Sequence, residues 1–330
     1  VPGIQDFTYL NFGKETVRGT PVAPTRKWIG DATGVLGPDL SLNFHEGENR
    51  GRRATMFRVT QQAEDVVVKV RADATFDDWV WPLTQLKGGM TGAGGAADKT
   101  WAAAPSMTAL NNQEAYSLDI GDDTQNFRAQ YAMWRWFTQK ASVGDVTSLE
   151  GELFAQRVQK VAKATPADPA SSPKLVGDLW TIKFATTFAG LAGASVQTNF
   201  ITDHELHVDT GLVWHHYQDG TYFGGQHIET SFGGTLKMTV ESTALAISEL
   251  YDKWYAQTVD YIRLKNTSPV VLGGSFPSLQ HDFAVAYSKV VPIGDEQDGV
   301  NLYQVEANLI DDGTNPLISP TLVCSLTAIP

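Results

Sequence analysis

The segment GVLGPDLSLNF, which begins at Gly34, returns 156 residues later as GLAGASVQTNF at Gly190. Gly34 aligns with Gly190, Gly37 with Gly193, Asn43 with Asn199 and Phe44 with Phe200. The same offset sets FRAQY at Phe127 against FAVAY at Phe283. It also sets LEGELF at Leu149 against VEANLI at Val305, so that Glu150 falls on Glu306. One short match at such a distance carries little weight. Three at one spacing predict an internal duplication, and each half must then hold the same set of elements.

Those elements are mostly strands. The repeated segments alternate apolar and polar residues, the period of a half-buried strand. Phe283, Val285 and Tyr287 share one face, and Ala284, Ala286 and Ser288 the other. Val66–Val70, Leu206–Val213, Leu236–Val240 and Leu322–Leu326 follow the same rule, and turn sequences such as QDG at Gln218 and DDG at Asp311 separate strands. Each half adds one helical candidate. In TFDDWVWPLTQL, Thr75 and Asp78 stand at capping-box spacing, and Pro82 kinks or shortens the helix. In TALAISELYDKWYAQT, Leu245, Ile247, Leu250, Tyr251 and Trp254 fall near one helical face, with Ser242 or Thr243 as N-cap. A lone amphipathic helix is marginal in water, so each is expected to cover one face of a sheet or barrel.

Candidate chemistry is sparse. The net charge of −12 supplies no basic face with which to clamp nucleic acid. The single cysteine, Cys324, permits no disulfide within the chain and sits in the apolar run TLVCSL, as a small buried hydrophobe does. No apolar run is long enough to cross a membrane as a helix. The histidines of DHELHVDTGLVWHH invite a metal reading. On a strand, however, His204 and His207 point to opposite faces, and only His207, Asp209 and His215 share one. FGKETVRGTP at Phe12 has its lysine before its last glycine and a proline after, the wrong order for a phosphate loop. FDDW fits a helix N-terminus and IDDGTN a turn. No catalytic, cofactor or metal residue is assigned, and the chain is expected not to be an enzyme.

Four segments carry a resemblance: GKETVRGTPVAPTR, TGLVWHHYQDGTYF, ISELYDKWYAQTVDYIRL and VNLYQVEANLIDDGTNP. Together they resemble the tail tube proteins, or major tail proteins, of tailed bacteriophages with long non-contractile tails. The resemblance implies a mainly β fold, a β-sandwich or β-barrel flanked by a helix. Its subunits would form rings whose inner strands close one barrel, stacked into a hollow tube through which DNA passes to the host. It implies a virion protein assembled in the bacterial cytoplasm, without cofactor. Its partners would be its own copies, a tape measure protein and tail-tip or tail-terminator proteins. With the duplication, the expected organisation is an extended arm over 1–33 and two tandem tube domains over 34–188 and 189–330. Three chains would then supply six tube domains, although a six-chain ring stays open. Glu150, Glu152, Glu306 and Asp311 are the candidates for lining the lumen. The alternatives are a carbohydrate- or cell-surface-binding β-sandwich presenting Trp214, Tyr217 and Tyr222, and a metal-dependent β-barrel enzyme using the histidines.

Overall fold

The computed structural model describes residues 9–28, 30–34, 39–46, 56–86, 89–94, 99–103, 105, 113–122, 125–166, 172–198, 201–218, 224, 226–243, 247–297 and 300–329. The chain is mainly β. It opens with β1 (Tyr9–Lys14), β2 (Arg26–Lys27), β3 (Asp31–Gly34), β4 (Asp39–Glu46) and β5 (Met56–Asp73). A 3-10 turn at Phe76–Trp79 runs into α1 (Val80–Leu83), followed by β6 (Thr91–Gly94) and β7 (Lys99–Ala102). Then come β8 (Tyr116–Gly121), β9 (Asn126–Ser142), β10 (Ser148–Ala155) and β11 (Arg157–Lys160). The second half runs through β12 (Trp180–Ala185), β13 (Val196–Gln197), β14 (Ile201–Asp209), β15 (Leu212–His215), β16 (Gln226–Glu229) and β17 (Gly233–Glu241). A π-turn at Ile247–Tyr251 leads into α2 (Asp252–Tyr255). β18 (Val259–Thr267), β19 (Ser278–Gln297), β20 (Val300–Leu309) and β21 (Ile318–Cys324) close the chain.

All pairings between these strands are antiparallel. In the first half, β5 pairs with β10, β10 with β9, and β9 with β8. β1 lies beyond β8, and β11 pairs with the start of β9. In the second half, β17 pairs with β20, β20 with β19, and β19 with β18. β12 lies beyond β18, and β21 pairs with the start of β19. The order of pairing is the same in both. The halves join where β14, paired with β17, also pairs with the end of β9. Nineteen of the strands thereby belong to one hydrogen-bonded system, and β15 and β16 form a separate hairpin.

One face of this system is apolar and buried. Val66, Val68 and Val70 of β5, Leu149 and Leu153 of β10, Leu206 and Val208 of β14, and Val305 and Ala307 of β20 all point into one continuous core. Trp79, Trp81, Phe76 and Leu83 of the first helical segment cover it. That segment holds its start as its spacing predicts: Thr75 donates from its backbone N and from Oγ1 to Asp78 Oδ2, at 3.0 and 2.6 Å. Gly151 is required where it stands, because a Cβ there would fall 2.4 Å from the Trp134 ring.

Three expectations need correction. The N-terminal segment is not an arm from Tyr9 onward, since β1 pairs along its whole length with β8 and buries Leu10 and Phe12. The boundary at residue 188 separates β12 from β18, its sheet neighbour. The second helix is short, and its π-turn shifts the helical phase. Leu250 is buried as its periodicity predicts, while Tyr251 turns outward. Leu245 of that face, and residues 35–38 and 199–200 of the first repeated segment, lie outside the described residues.

Candidate functional site

The opposite face of the sheet is polar, and its charges alternate strand by strand. β5 contributes Lys69 and Arg71, and β10 contributes Glu150 and Glu152. β9 contributes Lys140 and Arg135, β14 Glu205, β17 Lys237, β20 Glu306 and β19 Lys289. Period-two alternation puts these residues on one face, with Arg135 joining them from a bulge in β9, and antiparallel register puts opposite signs side by side. Glu150 meets Arg71 at 3.4 Å and Lys140 at 3.1 Å. Glu152 meets Lys69 at 3.9 Å and Arg135 at 3.2 Å. Glu205 lies between Lys140 at 3.8 Å and Lys237 at 3.6 Å, and Lys289 reaches Glu306 at 3.5 Å. Each such pair is worth about 0.2–1 kcal/mol in a partly exposed setting. The ladder sets surface potential far more than it sets stability.

Three of the four lumen candidates therefore sit on this face, each beside a cation. Asp311 does not: it lies in the turn after β20, where Oδ1 accepts from the Gly313 backbone N at 2.9 Å. Register also revises the correspondence between halves. β9 bulges at Arg135, and the next outward residue, Trp136, stands opposite Glu152. β19 bulges at Ser288, and the next residue, Lys289, stands opposite Glu306. Lys69 flanks Glu152 as Lys237 flanks Glu306. Glu152, not Glu150, holds the place of Glu306.

The sheet has edges that differ. From Trp136 to Lys140, β9 pairs with β10 on one side and β14 on the other, and the pairing with β14 continues to Ser142. From Tyr287 onward, β19 pairs with β20 alone among the described residues. Among the described residues, β3 and β4 pair only with β5. Unpaired edges are templates for another strand.

Where the halves meet, the core is polar. Gln139 of β9 lies between two buried imidazoles, its Nε2 3.0 Å from His204 Nε2 and its Oε1 3.2 Å from His281 Nε2. Burial pulls His204 down to about 4. Burial, with His204 nearby, pulls His281 down to about 3. Both rings are therefore neutral near pH 7. The ring edges are fixed by Trp180 and Trp79, at 5.0 and 5.7 Å between centroids. His207 faces the other way, as strand alternation requires, and meets Thr138 Oγ1 through Nδ1 at 2.8 Å. Among the described residues, no three His, Cys, Asp or Glu side chains converge as metal ligands would.

Other sequence candidates have structural duties. Glu15 of the glycine–lysine loop is buried. It accepts from Gly19 N, Ser117 Oγ and Tyr131 N at 2.7–2.9 Å. Asp77 of FDDW is fully buried and joins Arg26 of β2 to Ser325 beyond β21. Burial and the nearby Asp77 push the Cys324 thiol up to about 12, too high for a thiolate nucleophile. Of the aromatic platform, Trp214 is packed edge-on against Tyr131 and Phe154, Tyr217 is exposed, and Tyr222 lies outside the described residues. Sequence reading missed Gln139, His281 and the cations of the ladder, because each acquires its meaning from a strand far along the chain. Comparison with known proteins returns no matching family model and no matching curated protein.

Proposed function

We propose that this chain is a structural subunit that polymerises into stacked rings, forming the hollow tail tube of a phage through which DNA passes. The observation that carries the reading is the repeated pairing order with one junction used and one left open. Residues 9–160 and 180–324 run through the same series of pairings. Within the chain, the end of β9 in the first unit binds β14 of the second. The matching stretch of β19 and the matching edge of β3 are both open among the described residues. If β19 of one copy binds β3 of the next, every unit makes the same contact. A head-to-tail contact of that kind closes into a ring. Three chains would give six near-equivalent units and an inner barrel without edges.

The charged face supports the reading as well. A DNA conduit must not grip phosphate, since each cation–phosphate contact is a well to climb out of. On the ladder, each lysine and arginine stands beside a glutamate. On this reading the glutamates expected to line the lumen are charge-balanced by neighbouring cations. Pro292 stands in the open stretch of β19 and removes one donor from it. Proline on an edge discourages indiscriminate pairing before assembly. Electron microscopy of the concentrated protein tests the proposal. Rings of three chains with pseudo-sixfold symmetry are expected, and monomers alone under all conditions would refute it.

A further inference from the structure

We propose that the side chains of Lys253 and Asp260 join as an isopeptide amide, formed within the folded chain with release of one water. Glu249 relays the proton, and Tyr287 holds the carbonyl oxygen.

A helix end and two strands bring the four groups together. Lys253 lies in α2, and Glu249 lies one turn earlier, in the π-turn that leads into it. The helix closes on Gln257, at φ +54°, where Gln257 N donates to Trp254 O and Thr258 N to Lys253 O, each at 3.1 Å. A turn of that kind caps the last carbonyls and redirects the chain. β18 then starts beside the helix, with Lys253 Nζ 2.9 Å from Asp260 Oδ2 and 2.6 Å from Glu249 Oε2. Tyr287 stands on β19, the sheet neighbour of β18, and donates its hydroxyl to the same Asp260 Oδ2 at 2.8 Å. Phe184 of β12 lies over the amine, its ring centroid 5.8 Å from Nζ.

This pair differs from the other ion pairs among the described residues. Asp77, Asp119 and Asp282 are also buried, but each is paired with an arginine, whose guanidinium stays charged and is no nucleophile. The other lysines meet carboxylates whose side chains are 12% to 62% exposed, against 1% for Asp260. Only here does a primary amine touch a carboxyl shut away from water. Keeping such a pair as ions leaves charge desolvated, whereas an amide is neutral. Burial pushes the Asp260 carboxyl up, toward its neutral form, against the pull of Lys253. Burial pulls the Lys253 amine down, but its bonds to Glu249 and Asp260 outweigh that and hold it up. The neutral pair is thus the minor form, and the step is slow. Contact offsets this, since well-oriented groups in one molecule react as if at roughly 10⁵ M or more.

The step balances without a co-reactant. One proton passes from the ammonium to Asp260 Oδ1, leaving a free amine and a carboxylic acid. The Nζ lone pair attacks Cγ, and the carbonyl π pair moves to Oδ2, where the Tyr287 hydroxyl stabilises the charge. Glu249 takes a second proton from Nζ and gives it to Oδ1. The Cγ–Oδ1 bond breaks, Oδ1 departs as water, and the pair on Oδ2 restores the carbonyl. The amide nitrogen keeps one hydrogen, and Glu249 returns to a carboxylate. The product ties the end of α2 to β18.

The test is the mass of the denatured full chain, which should be lighter than its sequence requires by one water. Trypsin should leave residues 238–263 as one peptide, uncut at Lys253 and closed between 253 and 260 on fragmentation. K253R should have the full mass. E249Q, recovered on the same schedule, should have it too, since losing a general acid–base group slows such a step about a hundredfold or more. Both variants should keep the circular dichroism spectrum of the parent. A full mass in the parent would overturn the inference. So would a loss of water that persists in K253R, which marks an aspartate closing on its own backbone instead. Water lost from E249Q as fast as from the parent would overturn the role of Glu249.

Discussion

The end of β9 and the end of β19 hold the same place in the pairing order of their halves, in two circumstances. Each follows a bulge, each faces a glutamate across its hairpin, and each leaves its half at the same point in the pairing order. The end of β9 is covered by β14, while the end of β19 meets no strand on that side among the described residues. The difference lies in the supply of a neighbour, not in the strand. On the stacked-ring proposal, a second chain covers the other edge. Backbone exchange reads this contrast most directly. From Trp136 to Ser142, nearly all amides should be protected in every state. In β19 beyond Tyr287, alternate amides point away from β20 and should exchange at least about a thousandfold faster in the monomer. They should become protected in tubes. Equal protection of both stretches in the monomer would mean that the edge is already covered within the chain.

The covered stretch is also core, and the next effect comes from that. Phe137 is fully buried and meets Trp79 edge-on at 6.1 Å. Phe137→Ala should cost about 3–5 kcal/mol in urea unfolding. A loss below about 1 kcal/mol would remove β9 from the centre of the fold. Deletion of residues 9–27 belongs to the same class, because it strips Leu10 and Phe12 from the core, and should leave no cooperative unfolding transition.

Legibility in the sequence tracks the range of each signal. Alternation is local, so β5, β10, β14 and β20 stand where period two places them. The capping box at Thr75 and the turn at Asp311 depend on neighbours within three residues, and both formed. β1 failed as a reading because its partner β8 is about a hundred residues away, and Leu10 and Phe12 alone make a thin pattern. Glu150, Glu152 and Glu306 are legible as outward-facing glutamates from alternation alone, but the cations beside them come from other strands. Buried polar residues such as Gln139 give no sequence signal, because only the fold reveals that both of its partners are histidines.

Those histidines make the covered junction sensitive to acid. His204 and His281 both have folded-state values below the usual 6.5, at about 4 and about 3, with burial the main cause in each. The unfolded chain therefore takes up protons that the folded chain refuses. Their contribution is complete above pH 6.5 and falls as pH drops from 6.5 toward 4. At about 1.4 kcal/mol per unit, His204 alone accounts for roughly 3 kcal/mol across that window. Carboxylates titrate there too, so the useful measurement is a difference. His204→Asn, compared with the parent by urea unfolding at pH 7 and pH 4.5, should lose less stability on acidification. An identical slope in both proteins would show that the imidazole already exchanges protons freely in the fold.

The smallest effect separates the two glutamates that the sequence offset equates. Glu150 contacts two cations, Arg71 and Lys140, at 3.4 and 3.1 Å. Glu306 contacts Lys289 at 3.5 Å and has Lys237 as its register partner. Both side chains are partly open to water, so each pair is worth no more than about 1 kcal/mol. Glu150→Gln and Glu306→Gln should each shift monomer stability by less than that, and the shift should shrink further in high salt. Their weight falls instead on potential. In a tube, either substitution repeats around every ring and leaves unbalanced cations at six or at three positions, according to how many chains close it. DNA passing such a wall should bind it in a salt-dependent way, as the parent tube should not. The doubly bridged Glu150 sits between two strands of one unit, so its loss should free more positive charge than the loss of Glu306. Retention of DNA by E150Q tubes at low salt, with weaker retention by E306Q tubes, is the expected order. No retention by either would put the ladder on the outer wall, where its balance serves solubility alone.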